Sequence, residues 1–139
     1  LIGNPTDTSL AIAKLIFSGV LERYPRLKIL LAHAGGFLPY TWGRLDRGYR
    51  IQDSATAKIS KPPGEYLKLL NFDTITHNTM ALEYLVANFG ADHVVLGSDY
   101  PYDMGDPEPV ASLFAARIDR ASLEQIASAN ACKLLRIGI

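Results

Sequence analysis

The sequence predicts an α/β fold built on a parallel sheet, and three observations carry that prediction. Short strand-like runs occur at residues 28–32, 71–75 and 94–97, and the first (after Lys28) and last are continuously apolar, as in strands covered on both faces. Helical patterns separate the runs at the spacing that crossover units require. Glycine and proline punctuate the junctions between elements. The order reads α-β-α-β-α-β-α-α within one domain, residues 1–139, with no internal repeat or low-complexity tract.

The opening "NPTDTSLAIAKLIFSGVLERYP" reads as a loop, a cap at Asp7 or Thr8, and a helix that closes before Pro25. Leu10, Ile12, Ala13, Ile16, Phe17 and Val20 form its apolar face. A buried strand at residues 28–32 then ends on His33, and Gly35 and Gly36 allow a sharp turn into a helix over residues 39–49. Residues 51–64 are polar with two prolines and read as a surface loop. "EYLKLLNFDTITH" supplies a short helix and the second strand. "NTMALEYLVANFG" is a helix capped by Asn78 or Thr79 and stopped by Gly90. After the third strand, Asp106 and Pro107 open another helix in cap-then-proline order. The last helix carries Ser122 and Gln125 as a capping box and runs to Gly138.

Composition removes several classes of function. The 139 residues hold 14 Lys+Arg against 14 Asp+Glu, so no basic excess points to nucleic acid. No apolar run approaches the about 18 residues of a membrane span; residues 10–21 are interrupted by Lys14 and Ser18. A single cysteine, Cys132, cannot close an internal disulfide and reads as a small buried residue. With no leader-like start, this leads us to expect a reducing, cytoplasmic setting. The chain lacks G-x-G-x-x-G, P-loop, G-x-S-x-G and C-x-x-C patterns, which argues against dinucleotide, P-loop and serine-hydrolase chemistry.

Candidate chemistry sits at the strand ends. Loops at the C-terminal ends of parallel strands converge over the sheet, and His33 and Asp99 both lie there. Imidazole and carboxylate suit a divalent metal or acid/base work on water. The plain alternatives are a His33 that satisfies a loop carbonyl and an Asp99 that merely turns the chain before Pro101. Asp73 and His77 flank the second strand's end, where His77 reads foremost as a helix cap. His93 precedes its strand and reads as a surface residue. Arg44 and Arg47 follow the His33 turn; Arg44 could hold a carboxylate bidentately, against the alternative of a solvated helix face. Phe37, Tyr40 and Trp42 read as packing residues.

"ERYPRLKILLAHAGGFLPYTWGRLDR", "FDTITHNTMALEYLVANFGADHVVLGSDYPYDMGD" and "IASANACKLL" together resemble the C-terminal part of the amidohydrolase-related enzymes, with the aminocarboxymuconate-semialdehyde decarboxylase-like group as the nearest subgroup. The resemblance implies a (β/α)8 TIM-type barrel, of which this chain would supply strands 6–8 and their helices. It implies a divalent metal, usually zinc, with Asp99 as a ligand and His33 as general acid/base. It implies that Arg44 reaches a neighbouring subunit's site and binds a substrate carboxylate, hence a homodimer. His77 matches a recurring position without an implied role.

The H-x-H pair and the further metal histidine of that family have no counterpart among the three histidines here. Together with Leu1 in place of Met, this leads us to expect a piece of a longer enzyme that is inactive alone. The leading expectation is a metal-dependent decarboxylase of a small acidic, unsaturated or aromatic substrate. A hydrolase of a lactone or amide in the same superfamily is the alternative. A non-catalytic α/β binding module and a doubly wound small-molecule binder are the readings from other classes.

Overall fold

Phe72 and Val94 have no exposed surface, and they face each other across two neighbouring strands of a parallel sheet. The computed structural model describes residues 1–52 and 58–138. Its strands are β1 (Leu30–Leu31), β2 (Asn71–Asp73) and β3 (Val94–Val95), in the order β1-β2-β3. Leu31 pairs with Phe72, and Asp73 pairs with Val95.

Helices α1 (Gly3–Phe17) and α2 (Val20–Arg23) precede β1. Helices α3 (Leu38–Ile51) and α4 (Pro63–Leu67) link β1 to β2, and α5 (Thr79–Phe89) links β2 to β3. Helix α6 (Pro109–Phe114) follows. Helix α7 (Arg120–Glu124) then runs through a π-helical segment, Gln125–Ala129, into α8 (Asn130–Leu135). Ile16, Leu67, Leu70, Leu85, Leu113 and Ile126 close over the sheet with almost no exposed surface.

The alternation of helix and parallel strand agrees with the sequence reading, and several boundaries differ for local reasons. Helix α1 begins at Gly3 rather than at an Asp7 or Thr8 cap, because Pro5 falls in the first turn, where a missing N–H costs nothing. It stops at Ser18, since Gly19 adopts φ 72 and starts α2 in a new direction. The first strand is buried on one face only: Leu31 is covered while Leu30 is 46% exposed. Residues 53–57 of the expected surface loop lie outside the described residues, and Ile59, just beyond them, is buried in the core.

Asn78 caps α5 as expected, accepting the Ala81 N–H at 3.1 Å, so His77 is not the cap. Helix α6 starts two residues late, at Pro109, because the Asp106 carboxylate instead accepts the Glu108 N–H at 2.9 Å in a turn. Asp119, not Ser122, caps the last helix; its carboxylate takes the Ser122 N–H at 3.0 Å. That helix ends at Leu135, with Arg136 left-handed at φ 57, before reaching Gly138. Cys132 is half-buried rather than enclosed.

Two side chains fasten the N-terminal end of β3. The buried Asn130 donates to the Ala91 and Val94 carbonyls at 2.8 and 2.6 Å. His93, half-buried rather than on the open surface, donates through Nδ1 to the Leu70 carbonyl at 2.8 Å. Both lie at the sheet end opposite to His33 and Asp99, which leaves the C-terminal end free to build a site.

Phe72 carries the packing of the middle strand and stacks on Phe89 with ring centroids 4.9 Å apart. Phe72→Ala should lower the unfolding free energy by about 3–5 kcal/mol, read from urea unfolding. A loss below about 1 kcal/mol would show that the sheet does not depend on this ring.

Candidate functional site

Each strand ends in a residue that ordinary backbone geometry disfavours. His33 after β1, His77 after β2 and Asp99 after β3 have φ values of 56, 51 and 58. Left-handed backbone at a residue with a Cβ costs about 1–3 kcal/mol and persists only where surroundings hold it. Because the strands are parallel, all three ends fall on one side of the sheet. All three residues line one cavity of about 520 Å³, a size that suits a small organic ligand.

The turn after β1 is the most constrained of the three. His33, Ala34, Gly35 and Gly36 are left-handed in succession, at φ 56, 50, 82 and 66. Asp73 at the end of β2 holds the turn: its Oδ2 accepts the His33 N–H at 3.0 Å, and its Oδ1 accepts the Ala34 N–H at 2.7 Å. The Ile75 N–H bonds to the same Oδ1 at 3.0 Å. Burial pushes the Asp73 carboxyl above its ordinary value of 3.8, while the N–H bonds from Ala34, Ile75 and His33 act in the opposite direction.

Helix α1 closes the turn from the other side. A Cβ on Gly36 would collide with the Pro5 carbonyl oxygen, so only glycine lets the two backbones approach. Ser9 donates to the Pro5 carbonyl at 2.7 Å and accepts the Phe37 N–H at 2.8 Å. Thr8 Oγ1 lies 3.3 Å from His33 Nδ1. His33 thus contacts a hydroxyl rather than satisfying a loop carbonyl.

Asp99 belongs to a self-closed loop. Its carbonyl accepts the Tyr102 N–H at 3.0 Å, and Asp106 N–H donates to the Ser98 carbonyl at 2.8 Å. Its backbone turns the chain while the residue lines the cavity, so the two readings of this residue are compatible.

The rest of the lining is mostly apolar and aromatic, including Phe37, Ile75, Met80 and Tyr84, with Asn4 and Thr76 as polar members. Tyr40 is 85% exposed and Phe37 is 43% exposed, so both border the cavity rather than packing inside. Trp42 does pack, against Gly64, whose N–H bonds to Asp46 Oδ1 at 2.8 Å. Arg44 is exposed on α3 and does not line the cavity; within one chain it is not brought to His33 and Asp99. Among the described residues, no three His, Cys, Asp or Glu side chains gather as a metal-binding group.

Sequence reasoning left Asp73 and Thr8 without a site role. For Asp73 the available signal was a carboxylate at a strand end; for Thr8 there was none beyond its reading as a candidate helix cap.

A profile of the amidohydrolase family matches residues 2–137. The chain is 39% identical over 110 residues to the 2-amino-3-carboxymuconate-6-semialdehyde decarboxylase of Dictyostelium discoideum, covering 78% of this chain and 31% of that protein. The crystal structure of 5-carboxyvanillate decarboxylase from Sphingomonas paucimobilis matches with a TM-score of 0.86 and 30% identity, over 96% of this chain and 41% of that one. A dihydroxybenzoic acid decarboxylase from Polaromonas sp. JS666, solved with bound manganese and the inhibitor 2-nitroresorcinol, matches with a TM-score of 0.85 and 25% identity, over 96% and 41%. The chain therefore spans less than half the length of these relatives.

The grip of Asp73 on the turn is open to direct test. Asp73→Asn keeps one acceptor oxygen but sets an amide donor against a backbone N–H, and should cost about 1–3 kcal/mol in urea unfolding. A carboxyl raised on folding favours the protonated native state. Asp73 should therefore contribute stability that is full below pH 3.8 and is lost as pH rises through the higher folded value. The difference between the parent and Asp73→Asn should carry that slope, and an identical pH dependence in both would contradict it.

Proposed function

This chain belongs to the amidohydrolase family, and on that premise we propose that it forms the C-terminal part of a metal-dependent enzyme that decarboxylates small aromatic or unsaturated acids. The observation that carries the reading is the meeting of His33 and Asp99 at one strand-end cavity, in a chain whose relatives by sequence and by structure are decarboxylases.

In this reading β1, β2 and β3 are the sixth, seventh and eighth strands of a (β/α)8 barrel, which typically needs about 250 residues. Support comes from the apolar surface on the β1 side. Leu10 is 51% exposed, and Leu27 and Leu30 are each 46% exposed. Upstream strands would cover these side chains and pair the open edge of β1.

Asp99 fits one position of a divalent-metal site, since a carboxylate at a cavity wall is an ordinary donor for such ions. The remaining ligands would come from the upstream strands. Zinc is the ion the family resemblance favours, and manganese is the ion carried by the Polaromonas structure. When bound, the metal supplies Lewis-acid polarisation and a lowered pKa for water.

His33 manages the proton. Decarboxylation breaks one C–C bond, releases carbon dioxide and leaves the electron pair on the substrate carbon, which must then take up a proton. With Nδ1 beside Thr8 Oγ1, Nε2 of His33 is the nitrogen free to deliver it. Phe37, Ile75, Met80 and Tyr84 give a flat substrate an apolar wall and keep water from the reacting carbon. Arg44 is exposed on α3 and lies outside this cavity; the family resemblance assigns it to a partner copy's cavity as the clamp on a substrate carboxylate, and with it a homodimer.

In the full-length protein, assayed by carbon dioxide release from a panel of hydroxybenzoic acids and muconate-type acids, His33→Asn should reduce turnover by about 10²–10⁴-fold with metal content unchanged. Asp99→Asn should lower both turnover and the metal content found by elemental analysis. Product formation from a lactone or amide without carbon dioxide would place the enzyme with the hydrolases instead. Full activity in both variants would remove these residues from the site.

A further inference from the structure

The cavity has an apolar wall, one carboxylate from Asp99, and no lysine or arginine side chain among its described lining residues. Three lining side chains carry nitrogen, Asn4, His33 and His77, and of these only the two histidines can bear the positive charge that pairs with a carboxylate. His33 is engaged by Thr8 and is assigned to proton transfer. We propose that His77 holds a substrate carboxylate within this chain's own cavity, which it lines together with the proton-transferring His33.

Geometry supports this assignment. His77 is kept at φ 51 by a turn in which Thr76 Oγ1 accepts the Asn78 N–H at 3.3 Å and donates to the Asn78 carbonyl at 2.8 Å. His77 does not cap α5, because Asn78 does so, and capping therefore does not account for it. Met80 and Ala81, in the first turn of α5, line the same cavity, so the positive end of that helix adds to a field favouring an anion.

His77, with Thr76, lines both this cavity and a neighbouring one of about 330 Å³, whose lining includes Thr74, Asp106 and Ser112. The Asp106 carboxyl there is held below its ordinary value, chiefly by the Ser112 hydroxyl, with the Glu108 N–H and the charge of His77 adding to it. The arrangement places an anion-holding histidine and a proton-donating histidine on two neighbouring strand ends of one cavity.

The inference rests on the decarboxylase reading for its substrate, and its test separates the two. Binding of benzene-1,3-dicarboxylate and of uncharged benzamide to the metal-loaded full-length protein is measured by calorimetry, for the parent and for His77→Asn and His77→Arg. Asparagine accepts left-handed backbone readily, so His77→Asn preserves the turn while shortening the donor. His77→Asn should weaken the dicarboxylate by about 10- to 100-fold and leave benzamide within about twofold. His77→Arg should recover at least part of the loss. Equal dicarboxylate affinity in parent and His77→Asn would overturn the proposal, and so would parallel losses for both probes. Carbon dioxide release by the parent is scored independently. Its absence alongside a His77-dependent affinity would overturn the decarboxylase reading alone, and its presence with unchanged affinity would overturn the role of His77 alone.

Discussion

One carboxylate from the middle strand organises the site. Asp73 gathers the N–H groups of His33, Ala34 and Ile75 within 2.7–3.0 Å, and so ties the turn after β1 to the end of β2. Four successive left-handed residues cannot hold themselves in that geometry; each strained residue with a Cβ costs about 1–3 kcal/mol. Hydrogen bonds to a charged acceptor are worth about 1.5–3 kcal/mol apiece, enough to offset the strain. Desolvating the carboxylate is the opposing cost, visible in the upward push on its protonation. The Gly97 backbone also approaches Asp73, with an ideal Cβ only 3.0 Å from its Cβ, so β3 is bound into the same arrangement.

The consequences reach outward from that contact. With the turn held, Gly36 can lie against the Pro5 carbonyl, and α1 brings Thr8 to the His33 ring. Helix α3 leaves in the direction that puts Tyr40 6.5 Å from Tyr84 of α5, whose hydroxyl donates to the Pro39 carbonyl at 3.0 Å. The two aromatic rings form one rim of the cavity. On the opposite sheet end, Asn130 and His93 make unstrained, fully satisfied contacts. Strain is concentrated where the chemistry is proposed and is absent where the sheet is merely anchored.

The alternation of helices with short strands was legible because period and punctuation are local properties. Asn78 and Gly90 bound α5 in the structure as in the sequence, since caps and stops depend on neighbours within a turn. His33 and Asp99 were legible as strand-end residues for the same reason. What the sequence did not display was side-chain reach across the fold: the Asp73 clamp spans 39 and 40 residues, and the Thr8 contact spans 25. Competition between nearby acceptors also misled, as when Asp119 took the cap expected of Ser122. Leu30 and Tyr40 were read as packed because apolar pattern alone does not reveal which faces this chain leaves uncovered.

The central claim is that Asp99 and His33 face one metal-dependent reaction centre from neighbouring parts of the rim, the first as ligand and the second as proton carrier. An anomalous-difference map of the metal-loaded full-length protein tests it most directly. The account predicts a metal peak about 2.0–2.2 Å from an Asp99 carboxylate oxygen, inside the cavity that His33 lines. A peak bound elsewhere, with Asp99 outside coordination distance, would contradict it.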